Sequence, residues 1–139
     1  MANLMQLEIV TPDKYFIKRD DVLYAGFDSQ DGAFGVYANH LPVIAALKDA
    51  PFKYIDASNT SHYVYLSGGF AEVLDNKITI LSIQADAAED IDLARAEESL
   101  QRAELRIENP SSGTNLHRAE QAKRRAKGRI RTLAMAKKG

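Results

Sequence analysis

The sequence predicts an all-β N-terminal sandwich of about 8–10 short strands followed by a C-terminal antiparallel α-helical hairpin, divided at 1–88 and 89–139. Three observations carry this reading. Short apolar runs punctuated by turn residues fill the chain as far as Ile83. From Asp90 onward Ala, Glu, Arg, Lys and Leu dominate, and no valine, phenylalanine or tyrosine occurs. The charge changes sign at the same place. Residues 1–90 hold six Lys/Arg against thirteen Asp/Glu, net −7, and residues 91–139 hold twelve against six, net +6.

Met5, Leu7 and Ile9 alternate with Gln6 and Glu8, the period of a half-buried strand. Thr11-Pro12-Asp13 is a turn signal. Tyr15 to Ile17 and Val22 to Phe27 read as the next two strands, and the turn-rich stretch from Asp28 to Gly32 leads into Ala33 to Tyr37. Phe52 to Ile55, His62 to Leu66, Phe70 to Leu74 and Lys77 to Ile83 complete the set. Asp75-Asn76 joins the last two as a two-residue hairpin link. Gly68-Gly69 lies between two strands and reads as a bend or a close backbone approach. The aromatic residues of this module, Tyr24, Phe27, Phe34, Tyr37, Phe52, Tyr54, Tyr63, Tyr65 and Phe70, are expected mostly in the core, with a few free to anchor a partner.

In the second module Asp90 is the expected N-cap, with Asp92 in the first turn, where the helix dipole favours a carboxylate. Leu93, Ala96, Leu100, Ala103 and Ile107 recur at helical spacing. Five residues, Asn109 to Gly113, stop that helix, and Thr114 can cap a second. Leu116, Ala119, Ala126, Ile130 and Leu133 repeat the pattern, interrupted at Lys123. About half of these positions are alanine, so the seam buries little area, while ordering the backbone costs roughly 1–2 kcal/mol per residue. The hairpin should be marginal unless it docks. Two readings stand: an element that folds back, extends or frays, and a small constitutive coiled-coil handle.

Several function classes are excluded. There is no cysteine, hence no disulfide, thiolate metal site or cysteine nucleophile. His40, His62 and His117 are too scattered for a histidine-rich metal site. The longest apolar run, Leu41 to Leu47, contains Pro42 and falls far short of the ~20 residues that span a bilayer. Met1 to Leu4 shows no signal peptide, so membrane association is expected only through partners. No Gly-x-x-x-x-Gly-Lys-Ser/Thr loop surrounds Gly68, and Ser67 lacks a Gly-x-Ser-x-Gly elbow. The competing readings are an ATP-sensing or basic-helix adaptor protein that binds an acidic partner or nucleic acid, and an enzyme built on a β-sandwich, for which no triad, metal cluster or paired catalytic carboxylates stand out. Against nucleic acid, the basic and aromatic residues lie in different modules and the first module is acidic.

Ile9 to Asp13, Gly35 to Pro42, Tyr65 to Val73 and Ile91 to Ala96, in that order and ahead of a basic hairpin, resemble the ε-subunit family of the F-type proton-translocating ATP synthase over essentially the whole length. The resemblance implies a non-catalytic rotor subunit with no required cofactor. Its sandwich would contact the γ subunit and the c ring, and its helices would approach the catalytic α/β subunits and hinder ATP hydrolysis. Its place would be the cytoplasmic face of a bacterial cell membrane, peripheral within the complex. By the same resemblance Asp31, Tyr37 and His40 are candidate partner contacts. Many members carry an acidic residue where Ala33 stands here, which leaves the nearby Asp31 as the acidic group of that turn.

A ligand is implied too. Some bacterial members bind ATP through an Ile/Leu-Asp-x-x-Arg-Ala motif, which stands here as Ile91 to Ala96, with Asp92, Arg95 and Ala96 in its defining positions. Arg118, Arg125 and Arg129 match arginines of the second helix, and Asp86 replaces a family glutamate. Helical geometry independently puts Asp92, Arg95, Ser99, Arg102 and Arg106 on a stripe beside the apolar seam, with Arg118, Arg125 and Arg129 on the equivalent flank of the second helix. In an antiparallel pair these flanks meet, and clustered guanidiniums suit phosphate. The bland alternative is an ordinary Asp92–Arg95 ion pair worth a few tenths of a kcal/mol.

Overall fold

The computed structural model describes residues 3–111 and 113–138. Ser112 of the expected helix stop, Met1 and Ala2 of the N-terminal segment, and Gly139 lie outside the described residues. Nine strands form the first module: β1 (Met5–Thr11), β2 (Lys14–Ser29), β3 (Gly32–Tyr37), β4 (Val43–Leu47), β5 (Ala50–Asp56), β6 (Ser61–Leu66), β7 (Gly69–Leu74), β8 (Lys77–Leu81) and β9 (Ala85–Ala87). They run in the order β1-β8-β7-β4-β2-β5-β6-β9, with β3 on β2 and a further pairing of β1 with β2. The early part of β2 pairs with β1, and its later part with β3 and β5. This shared strand folds the network into a sandwich.

Alternation sets the core. Met5, Leu7 and Ile9 of β1 point inward, as do Ile78 and Ile80 of the parallel-paired β8, and they meet Val22, Phe27, Val36, Phe52, Leu66 and Val73. The Asp75-Asn76 link is the tight hairpin turn the spacing implies. Its two residues have φ of 51° and 60°, as a type I′ turn requires, and Leu74 faces Lys77 across it. At Gly69, φ is +104° and a Cβ would collide with the Leu81 carbonyl, so this glycine serves close backbone approach.

Three strand assignments change. The two strands expected around Tyr15 to Ile17 and Val22 to Phe27 are one strand of 16 residues, because the polar stretch between them also pairs with β1. Val43–Leu47 is a strand that starts just past Pro42, which had masked it. The last strand, Ala85–Ala87, is three residues long and too short to announce itself by period.

The β5–β6 turn is held by Asp56. Its carboxylate accepts from the backbone N–H groups of Ser58 and Thr60 at 2.9 and 3.0 Å and lies 2.8 Å from His62 Nε2. The His62 contact and these amides hold its pKa below the ordinary carboxylate value. A depressed carboxylate pKa stabilises the fold above the unfolded value and loses that contribution as pH falls through the folded one. Denaturant melts at a series of pH values should therefore show the native chain losing stability below about pH 4, and Asp56→Asn showing a flatter profile in that window. Parallel profiles would contradict this role.

In the second module α1 spans Leu93–Glu108 and α2 spans Leu116–Lys138. Asp92, not Asp90, is the N-cap of α1, its Oδ1 accepting from the Arg95 N–H at 3.2 Å. Asp90 instead closes a 3₁₀ turn, Ala88–Asp90. Asn115 caps α2 by accepting from the Arg118 N–H at 3.1 Å, and Thr114 turns its hydroxyl to the Ser111 N–H at 3.0 Å. Of the expected seam, Ala96, Ala103, Ala119 and Ala126 are buried, Leu100, Ile107, Ile130 and Leu133 are half-buried, and Leu93 and Leu116 at its ends are exposed.

The hairpin docks on the sandwich. A second face of α2 lies on β5 and β6, with Gly128 and Thr132 buried in the contact. Thr132 is 0% exposed and its hydroxyl donates to the Gly128 carbonyl at 2.8 Å. Two ion pairs cross the boundary: Arg129 Nε donates to Asp86 at 2.9 Å, and Arg131 lies 3.1 Å from Asp28. The boundary thus packs Gly128 on the Tyr65 ring and is crossed by two part-exposed ion pairs.

Candidate functional site

Where the two modules join, a cleft of about 370 Å³ opens between β9, the start of α1 and α2. Each wall has a local cause. Asp86 sits in β9, opposite Tyr65 of β6. The 3₁₀ turn and Ile91 carry the chain across to Asp92, and the first two turns of α1 present Arg95, Ala96 and Ser99. Arg129 reaches in from α2, in the angle between its contacts with α1 and with the sandwich.

The charges are unevenly engaged. Arg129 is held by Asp86 and stacks with its guanidinium 4.9 Å from the Tyr65 ring centre. Asp92 spends an oxygen on the Arg95 backbone N–H. No Asp92–Arg95 side-chain ion pair forms among the described residues, and there Arg95 has no carboxylate partner. The cleft therefore offers one free guanidinium, a second shared with a carboxylate, and the acceptors of Asp86, Asp90 and Asp92. Guanidinium suits phosphate or carboxylate, and carboxylates suit hydroxyl or amino groups. Together they fit a ligand that carries both. No group of three or more metal-ligating side chains lies together among the described residues.

Five of the expected ligand residues, Asp86, Asp92, Arg95, Ala96 and Arg129, line this one cleft. Arg118 and Arg125 line a separate cleft at the hairpin tip, and Arg125 also borders a third on the far flank of α2. Arg102 lies exposed on α1, donating to Ser99 Oγ at 3.2 Å. The flank geometry brings Arg95 to Arg129 but not to the arginines further along the hairpin. Sequence reasoning missed Gln84, Asp28 and above all Gly128. A glycine inside an Ala/Arg-rich helix costs about 1 kcal/mol, and that cost was the available signal of a close contact.

The expected partner contacts separate to the two ends of β3. Asp31 is on the exposed β2–β3 turn, its N–H donating to Ser29 Oγ at 3.1 Å. Tyr37 closes the strand, 65% exposed, and His40 follows with Nδ1 2.7 Å from the Leu41 carbonyl. Most of the aromatic residues are in the core or packed beside it, but Phe70 is 58% exposed. It pairs across the sheet with Leu81 and Ala46, and Ile44 and Ile83, both at least 70% exposed, extend the apolar surface around it.

Comparison with known proteins covers both modules. The model for the β-sandwich domain of the ATP synthase delta/epsilon chain matches residues 4–90. The model for the long α-helix domain of that chain matches residues 89–134. The sequence is 42% identical to the ATP synthase epsilon chain of Nitratidesulfovibrio vulgaris (strain DP4) over 136 residues, covering 98% of this chain and 100% of the relative. It is 37% identical to that of Staphylococcus aureus (strain Newman), covering 96% and 98%. Among solved structures, a chain of the Euglena gracilis mitochondrial ATP synthase superposes with a TM-score of 0.82 at 20% identity, covering 100% of this chain and 84% of that one. A chain of the Tetrahymena thermophila mitochondrial ATP synthase central stalk and c-ring structure gives 0.60 at 18% identity, covering 95% of each. At these identities the structures support the fold alone.

Proposed function

The chain belongs to the ATP synthase delta/epsilon family, and we propose on that premise that it is a non-catalytic subunit of the central stalk of a proton-translocating ATP synthase. Its sandwich binds γ and the c ring, and its helical hairpin restrains ATP hydrolysis when released toward the catalytic subunits. The observation that carries this reading is that the ion pairs tying the hairpin to the sandwich, Arg129–Asp86 and Arg131–Asp28, are part-exposed. A hairpin held by Gly128, Thr132 and two ion pairs is held firmly enough to dock and weakly enough to leave.

The supports are distributed over the molecule. The exposed apolar face around Phe70, Ile44, Leu81 and Ile83 suits a permanent partner such as γ, since contiguous apolar surface marks an interface. Asp31 at the turn and Tyr37 with His40 at the other end of β3 give two separate contact regions, enough for two partners. The basic helices, net +6 over 91–139, suit an acidic surface on the α/β subunits. No described helix is long and apolar enough to cross a membrane. This fits peripheral attachment through the complex, at the cytoplasmic face of a bacterial membrane.

ATP is the regulatory ligand in this reading. Arg95 and Arg129 take its phosphates, and the carboxylates of Asp86, Asp90 and Asp92 accept from its hydroxyl and amino groups. Both modules build the cleft, so bound ATP favours the docked hairpin by mass action. Isothermal titration of the isolated full chain tests it. The expected result is ATP binding that Arg95→Ala weakens by about tenfold or more. No heat at millimolar ATP, or unchanged binding by the variant, would remove ATP from the mechanism.

A further inference from the structure

On the far flank of the α2 docking contact lies a larger cleft, of about 720 Å³. One wall is α2, with Arg124, Arg125, Lys127 and Arg131. The other is the sandwich, with Lys48 and Asp49 of the β4–β5 turn and Ser67 and Gly68 of the β6–β7 turn. We propose that this cleft is a second anion site, distinct from the Arg95–Arg129 cleft, and that it takes a small, multiply charged phosphate anion.

Charge is the first reason. Five cationic side chains border the space, with Asp49 as the acidic residue of the lining. Arg131 is paired with Asp28. Among the described residues Lys48, Arg124, Arg125 and Lys127 have no carboxylate in ion-pair range. Cations gathered on two facing walls repel one another, and an anion between them turns that repulsion into attraction. The arginine forks of Arg124 and Arg125 match phosphate oxygens, which accept from several directions at once.

The second reason is independent of charge. Tyr65 is 0% exposed, and its hydroxyl is a buried polar atom with no hydrogen-bond partner among the described residues. Its ring packs against Gly128, which lines the cleft, and the groups acting on its hydroxyl include Ser67, Asp49 and Arg125 of the cleft lining. Burial pushes its pKa up to about 12, so the hydroxyl remains a donor at neutral pH. Buried hydroxyls are nearly always satisfied. A buried donor without a partner, acted on by Ser67 and Arg125 of the lining, fits an acceptor-rich anion in the adjoining cleft.

The two walls belong to different modules, so the site exists only while the hairpin is docked. Occupancy multiplies the ratio of docked to released hairpin by 1 + [L]/Kd, about 100-fold at a hundred times Kd.

The test uses the isolated full chain and inorganic pyrophosphate as the probe, followed by calorimetry and by hydrogen exchange across α2. Lys48→Gln combined with Arg124→Gln removes two exposed cations outside the first cleft. Pyrophosphate is expected to bind the native chain, to slow exchange in α2, and to bind the double variant about tenfold or more weakly. Arg95→Gln should weaken it far less than the double variant does, since Arg95 borders only the first cleft. The site is wrong if millimolar pyrophosphate gives no heat, if the double variant binds as the native chain does, or if Arg95→Gln loses as much. Binding to phosphatidylglycerol vesicles without binding to pyrophosphate would also overturn it, by assigning the cations to lipid headgroups. Failure here leaves the ATP reading standing, because that reading is scored on Arg95.

Discussion

Gly128→Ala is expected to release the hairpin from the sandwich while strengthening the helix that carries it. A Cβ at this position collides with Cε1 of the Tyr65 ring and comes within 3.0 Å of Cδ1. Tyr65 cannot yield, because it is fully buried and Arg129 covers its face. Overpacking of this kind costs typically about 1–3 kcal/mol, more than a part-exposed ion pair of the boundary contributes. Meanwhile alanine improves the helix by about 1 kcal/mol over glycine. The result should be faster hydrogen exchange at Tyr65 and Val64 of β6, which the docked helix covers, with α2 still helical by circular dichroism. Unchanged exchange in β6 would mean that the close contact is not what limits docking.

Deleting residues 91–139 is expected to leave assembly and coupling in place and to raise ATP hydrolysis severalfold. The core of the sandwich runs from Met5 to Ile80 and includes no residue of either helix, so the first module keeps its packing. Tyr65 loses its cover, but its unpartnered hydroxyl gains water in exchange. What disappears is the basic element, with twelve Lys/Arg, that can reach an acidic catalytic surface. Hydrolysis rates of assembled synthase over a range of ATP concentrations check this. Equal rates for truncated and full-length enzyme would remove inhibition from the role of this chain.

Much of the fold was legible because period and turn chemistry agree. The alternation of Met5, Leu7 and Ile9, the Asp75-Asn76 turn, and the 3-4 seams of Ala96/Ala103 and Ala119/Ala126 all carry through to the structure. What escaped was non-local. The polar middle of β2 is a strand because β1 pairs with it, not because of its own pattern. Asp92 displaced Asp90 as the cap because the 3₁₀ turn consumed the earlier residues. At the site, helical angles brought Arg95 and Arg129 to a common cleft. They could not say that Asp86 would take hold of Arg129, since that depends on where a three-residue strand pairs. Nor could they reveal that α2 has two buried faces, because Gly128 and Thr132 carry no apolar signal.

The central claim is that the docked hairpin permits ATP hydrolysis and the released hairpin restrains it. Gly128→Ala separates release from removal, because every other residue of the hairpin stays in place. The direct measurement is ATP hydrolysis by assembled synthase carrying this variant, beside the parent and the 91–139 deletion. The predicted order is Gly128→Ala slowest, parent intermediate and deletion fastest. A Gly128→Ala enzyme that hydrolyses ATP as fast as the parent, or faster, would contradict the claim.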